Sequence, residues 1–273
     1  MQDVCPGGRN RKLATDSRTH LKTKPEIRAF EDPAALNSAL AAEITRLSKE
    51  AISQRGVCTV VLSGGSTPKS LYALMATPAW RDKFDWVHLH LFWEDERFVP
   101  PDHPDSNYGM VKRELLSKVS IPASNVHRVI AEKGKPEEVA AAYEQTIRRE
   151  SQSLKMVSSS NDIPRLDVLL LGLGTNGHTA SLFPHTSVLH EKKRLFAACY
   201  VDEVKMYRLT MTVPLLNNSR NTFFFLAGAE KAEVVKEVLH GPRKPEDLPA
   251  QFIEPNDGSL VWMMDKAAAR LVA

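Results

Sequence analysis

The sequence predicts an α/β protein built on a mainly parallel sheet covered by helices, and three observations carry that prediction. Short apolar runs rich in Leu and β-branched residues recur along the chain. They are continuous rather than alternating, which is the pattern of strands buried on both faces. Between most of them lies a stretch with helical spacing, and strands that alternate with helices pair in parallel. With 273 residues, 42% of them apolar and 25% charged, the chain is large and apolar enough for one such domain, and its composition is not that of a disordered or fibrous protein.

The elements follow in order. Residues 1–24 hold Arg9, Arg11, Lys12, Arg18, Lys22 and Lys24 against Asp3 and Asp16 and fit no element; they read as a disordered or transit-like leader. Leu36, Leu40, Ile44, Leu47 and Ile52 recur at helical spacing without a breaker, predicting a helix over Pro33–Arg55. Strands are expected at Val57–Leu62, Val87–Trp93, Leu166–Leu171, Leu195–Val201, Leu209–Val213 and Thr222–Ala227, with a last one near Leu260–Met264. Helices are expected at Pro68–Met75, Ser106–Ser117, Pro136–Glu150, Glu230–Leu239 and Asp265–Leu271. Ser151–Asp162, with its serine run, and the proline-rich Gly241–Pro255 read as loops, because the strands on either side of each belong to one series. No repeat is visible, so residues 25–273 are expected to form a single domain.

Charge narrows the range of partners. The chain carries 36 Lys+Arg against 33 Asp+Glu, a net +3, and the six cations and two acids of the leader account for that surplus. The remainder has 30 basic and 31 acidic residues, leaving no broad field to track a nucleic-acid backbone. Cys5, Cys58 and Cys199 are odd in number and widely spaced, so no disulfide framework is expected and a reducing compartment fits. No run of ~18 apolar residues reads as a membrane span. The expected location is the cytoplasm, or an organelle if the leader is a transit peptide. Oligomeric state is not legible.

In open parallel sheets ligands bind where strands end at their carboxyl edge, so the turns after each strand matter most. Leu62-Ser63-Gly64-Gly65-Ser66-Thr67-Pro68 follows a strand. Thr67 could cap a helix opening at Pro68, and Gly64 and Gly65 would leave backbone N–H groups bare beside the hydroxyls of Ser66 and Thr67, an arrangement suited to a phosphate. It lacks the Gly-Lys-Ser/Thr ending of a Walker A loop, and an ordinary tight turn before a capped helix is the plainer alternative. Gly172, Gly174 and Gly177 satisfy G-x-G-x-x-G after another strand, with Asp202 downstream as a candidate ribose ligand. Pro184 arrives too early for the long helix a dinucleotide site needs, and the fingerprint does not explain His178 directly after the last glycine. Glu94-Asp95-Glu96-Arg97 ends a third strand and could supply a base and an arginine clamp, or be a solvated charged turn. His88 and His90 share one strand face without further metal-ligand spacing, so no metal site is expected and ordinary hydrogen bonds are. Arg208 precedes a strand. Lys231 lies in the first turn of a helix, unfavourably for the dipole, which points to an anion nearby.

Taken together, Ser63-Gly64-Gly65-Ser66-Thr67-Pro68, Trp93 to Arg97 with Pro101-Asp102-His103-Pro104-Asp105-Ser106-Asn107-Tyr108, and Gly177-His178-Thr179-Ala180-Ser181-Leu182-Phe183-Pro184 closely resemble the 6-phosphogluconolactonase family, which is related to the glucosamine-6-phosphate deaminases. The likeness runs through Arg208-Leu209-Thr210 and Gly228-Ala229-Glu230-Lys231-Ala232 and spans about Ile27 to the C-terminus. It implies a Rossmann-like, modified doubly wound fold and hydrolysis of 6-phosphoglucono-1,5-lactone, a phosphorylated sugar lactone, without metal or nucleotide cofactor. By the same resemblance His178 would activate water, Gly64–Thr67 with Arg208 and Lys231 would hold the phosphate, Arg97 would sit beside it or brace the acidic turn, and Asp95 would orient sugar hydroxyls or a side chain of the site.

Two positions depart from the related patterns. Family members usually carry an acid two residues before the histidine, where this chain has Asn176, able to hydrogen-bond to His178 but not to lend it charge. An oriented, working histidine is the expectation, and a sugar-phosphate sensor without turnover is the alternative. The deaminases carry a glutamate five residues after the histidine, and Phe183 stands there. Deamination or isomerisation is therefore the less favoured enzymatic reading.

Overall fold

Strand β1 (Glu26–Phe30) leads into α1 (Pro33–Arg55), which is well specified at both ends. The Asp32 carboxylate accepts a hydrogen bond from the Ala35 N–H, Pro33 supplies the fixed φ of the first turn, and Gly56 closes the helix at φ 83°. The computed structural model describes residues 25–158 and 161–272, so the leader and Cys5 lie outside the described residues. There follow β2 (Cys58–Leu62), α2 (Ser66–Met75), α3 (Pro78–Arg81), β3 (Leu89–Trp93), β4 (Asp95–Arg97), α4 (Asn107–Glu114) and α5 (Pro136–Ser153). Then come β5 (Val157–Ser158), β6 (Asn161–Pro164), β7 (Val168–Leu171), β8 (Phe196–Val201), β9 (Met206–Met211), α6 (Val213–Leu216), β10 (Asn221–Leu226), α7 (Ala232–His240), β11 (Ser259–Asp265) and α8 (Lys266–Ala269).

The main sheet has six strands in the order β1-β11-β10-β7-β2-β3, and every pair is parallel. All residues of β2 and β7 are buried, which accounts for their unbroken apolar runs. From β2 the chain moves outward to β3 on one side, and from β7 it moves through β10 and β11 on the other. The order therefore reverses between β2 and β7, and the crevice at their carboxyl ends is where such sheets bind ligands. The loops that leave those two ends are Ser63–Gly65 and the segment from Gly172.

At Glu94 the chain passes from β3 directly into a second, antiparallel sheet, β4-β9-β8. This corrects the expectation that Leu195–Val201 and Leu209–Val213 join the parallel series: they form a hairpin packed beside α5, where Tyr143 meets Phe196 edge-on with centroids 4.6 Å apart. Asp95–Arg97, expected in a turn, is a strand. The segment 151–162 is not a plain loop, since α5 runs to Ser153 and β5 pairs with β6. The strand β1 has no counterpart among the expected elements; it is short and, among the described residues, lies at the sheet edge paired with β11. Lys231 falls at the end of a 3-10 turn, Ala229–Lys231, just before α7. Cys58 and Cys199 are buried and form no disulfide among the described residues.

Candidate active site

The reversal point opens a cleft of about 250 Å³ lined by residues from both sheets. It gathers Gly64, Gly65, Ser66, Thr67, Asp95, Arg97, His178, Arg208 and Lys231, all named from sequence. Asn176 reaches the same place through its bond to His178. His88 and His90 lie elsewhere, bonded to Asp85 and His127 respectively.

On the β2 side the helix begins earlier than expected. Gly65, at φ 105°, is the N-cap of α2, and no side chain caps it. Thr67 is thus inside the first turn rather than capping it, and together with Ser66 it lines the cleft at the positive end of the helix. Gly64 is obligatory for packing, because a Cβ there would lie 2.0 Å from the Asn107 Oδ1.

On the β7 side no α-helix follows the strand before β8 among the described residues, so the glycine pattern does not present a helix N-terminus to a dinucleotide. Its second glycine has another purpose. A Cβ on Gly174 would come within 2.1 Å of the His178 Nδ1 and 2.9 Å of the Asn176 Oδ1, so the imidazole and the amide lie flat against bare backbone. Phe183 covers the ring from the other side, with centroids 4.0 Å apart and planes at 13°. The Asn176 Oδ1 lies 2.5 Å from Nδ1, and the Asn176 Nδ2 donates to the Glu203 Oε2 at 2.8 Å. Since the carboxylate only accepts, the amide oxygen faces the ring, Nδ1 carries the proton, and Nε2 of the neutral imidazole holds the free lone pair. Burial lowers the His178 pKa to about 4; Asp95 opposes that shift, while Arg208, Lys231 and Arg97 reinforce it.

The acidic turn is not a solvated loop. Glu94, Asp95 and Glu96 are all buried. Asp95 accepts from the Asn107 Nδ2 at 2.7 Å and the Ser181 Oγ at 2.5 Å, so it orients side chains of the site. Glu96 accepts from the backbone N–H groups of Asn107 and Tyr108 and anchors the start of α4. Burial pushes the Glu94 carboxyl well above the usual range, while the Ser63 hydroxyl, which donates to its Oε1, opposes that shift.

The cations form the other wall. Arg97 and Arg208 stand directly opposite each other on β4 and β9, an arrangement that costs energy between like charges. Both Nε atoms are buried without a hydrogen-bond partner among the described residues. Arg97 donates to the Asp105 carbonyl oxygen and Lys231 to that of Leu173, at 2.7 and 2.9 Å, which leaves donor capacity on each side chain for a multiply charged anion.

The family model for glucosamine-6-phosphate isomerases and 6-phosphogluconolactonases matches residues 31–262. The chain belongs to this family. Within it, a 6-phosphogluconolactonase of Synechocystis is 40% identical over 85% of this chain and 92% of its own length, and one from Nostoc is 39% identical over 90% and 97%. The solved 6-phosphogluconolactonase of Trypanosoma brucei superposes with a TM-score of 0.78 at 29% identity, covering 92% of this chain and 99% of its own. The Rossmann-like α/β fold is that of the family.

Sequence reasoning missed two contributors to this site. Glu203 is 27 positions from Asn176 in the chain, and nothing local distinguishes it from other exposed acids of a turn. In the sequence Phe183 stands out as the replacement of the deaminase glutamate, and only the structure shows the face it turns to the imidazole. Its five-residue spacing from His178 was the available signal.

Proposed function

We propose that this protein hydrolyses 6-phospho-D-glucono-1,5-lactone to 6-phospho-D-gluconate, a step of the oxidative pentose phosphate pathway, without a cofactor. The observation that carries the reading is the pairing, in one cleft, of an imidazole whose Nδ1 faces the Asn176 Oδ1 with two facing arginines whose buried Nε atoms have no hydrogen-bond partner among the described residues. The relatives named 6-phosphogluconolactonases, similar over most of their length, support the same substrate.

The substrate phosphate would lie against Arg97, Arg208 and Lys231, with Gly64–Thr67 contributing backbone and hydroxyl donors. Anchoring this remote group holds the lactone carbonyl near His178, so that binding energy is spent on orientation. Nε2 takes a proton from water as the water oxygen bonds to the lactone carbon. The surrounding positive charge favours the oxyanion of the tetrahedral intermediate. When that intermediate collapses, the bond from the carbon to the ring oxygen breaks, and the imidazolium returns its proton to the departing oxygen. Asp95 serves by holding Asn107 and Ser181. Residues 1–24 would decide between cytoplasm and organelle.

The test measures opening of freshly prepared lactone against its spontaneous hydrolysis. We expect a large acceleration by the protein and a loss on the order of 10²–10⁴-fold in kcat for His178→Ala. An unchanged rate in that variant would remove His178 from the role of base. Binding of 6-phosphogluconate without turnover would favour the sensor reading, whose one support is the amide at position 176. Ammonia release from glucosamine 6-phosphate is not expected, because Phe183 occupies the place of the deaminase glutamate.

A further inference from the structure

We propose that Glu203 is the residue that makes an amide serviceable at position 176: it locks Asn176 in the orientation that leaves the His178 Nε2 unprotonated, so that Glu203, Asn176 and His178 work as one positioning relay. The proposal rests on the reading of His178 as the base. A carboxylate beside Nδ1 needs no such help, because either oxygen accepts the ring proton. An amide has one accepting and one donating edge. Flipped, it would present Nδ2 to Nδ1, force the ring proton onto Nε2, and leave no lone pair to take a proton from water.

Two contacts decide against the flip. The His178 backbone N–H donates to the Asn176 Oδ1 at a long 3.2 Å. The Glu203 Oε2, at 2.8 Å from Nδ2, is the stronger constraint, because an ionised carboxylate beside a flipped amide would face another acceptor. Glu203 is exposed, so its long-range field is screened. Its effect is the direction of one short hydrogen bond rather than charge delivered to the imidazole. The residue sits in the turn between β8 and β9, where Lys205 adopts φ 47°, and β9 carries Arg208. The same hairpin thus sets the histidine tautomer and supplies an arginine of the anion wall. Gly174 completes the device, since any side chain there would displace both the ring and the amide.

The experiment is a double-substitution cycle on the full chain. Glu203→Ala should lower kcat about tenfold, short of the full contribution of a general base because the backbone N–H contact persists, with KM within about twofold. Glu203→Gln should recover most of the loss, its Oε1 still accepting from the amide. In the Asn176→Asp background, Glu203→Ala should cost less than about twofold, since a carboxylate has no wrong orientation. An equal loss in both backgrounds, a loss confined to KM, or no loss at all would overturn the relay. The imidazole ¹⁵N spectrum, with the His178 signals identified by their absence in His178→Ala, reads the tautomer independently of turnover. We expect the Nδ1–H form in the parent and a growing Nε2–H fraction in Glu203→Ala; identical spectra would refute the proposal. If the tautomer shifts while the parent shows no lactonase activity, the relay stands and the functional reading falls.

Discussion

At His178 the fold gives up basicity to secure neutrality. Burial, to which the stacked Phe183 ring contributes one face, is the largest cause of a pKa near 4, against an ordinary 6.5, and the neighbouring cations push the same way. A depressed histidine is neutral above its pKa, so the base form is present across the neutral range and is lost as the pH falls through about 4. The acid limb of kcat/KM, which reports the free enzyme, is therefore expected near pH 4. Phe183→Ala would readmit water to the ring and move that limb up toward ~6, with an unmoved limb assigning the shift to something other than Phe183. His178, Arg97, Arg208 and Lys231 share the cleft and each stands in a short motif legible in the sequence, although Arg208, expected just before a strand, lies within β9. The acidic turn was not legible: three adjacent acids look solvated in a sequence, and only the folded chain supplies the donors from Asn107, Tyr108 and Ser181 that bury two of them. Glu203 was invisible for a related reason, since its partner is brought to it by a hairpin.

The elements that set the reversal point depend on a polar clamp at the opposite, amino end of the same strands. The Asp167 carboxylate, just before β7, accepts from the Thr59 N–H at 2.9 Å and its hydroxyl at 3.1 Å, and pairs with Arg55 at 2.6 Å and Arg220 at 3.2 Å. The Asp167 N–H returns a bond to the Thr59 Oγ1. These contacts pin β7 to β2 immediately before their first paired residues, Val168 and Val60. Asp167→Ala would leave Arg55 and Arg220 without their shared counter-ion and should cost roughly 3–5 kcal/mol, a fall in Tm on the order of 10 °C. A melting curve that superposes on the parent would refute this. The strands themselves were readable from apolar runs, yet strand direction was not. The β8 run is as unbroken in apolar residues as its parallel counterparts, and periodicity carries no sign for which way a strand runs. The clue in the sequence is the gap between the two expected strands, residues 202–208, which is too short for a parallel crossover.

Over the whole molecule, the near-neutral body and basic leader show that net charge was a poor guide to where charge matters. What counts is two arginines forced face to face by the register of β4 and β9. Their repulsion exists only while the cleft lacks an anion, so a phosphorylated ligand should stabilise the protein by relieving it as well as by mass action, RT ln(1 + [L]/Kd). At about 100 times Kd, 6-phosphogluconate should add roughly 2.7 kcal/mol and raise Tm by several degrees. Arg208→Ala should melt no lower than the parent without ligand and show little rise with it; a parent whose Tm ignores the ligand would refute the anion wall.

If the two arginines hold the substrate phosphate, that facing pair would also tie the survival of the protein to its metabolite supply. Chains with an empty cleft open more often and are the ones a protease meets first. When sugar phosphates are scarce, molecules without cargo should be cleared sooner, and when they are plentiful the population should persist. A repulsion written into strand register would then set not only what the cleft holds but how long each molecule lasts.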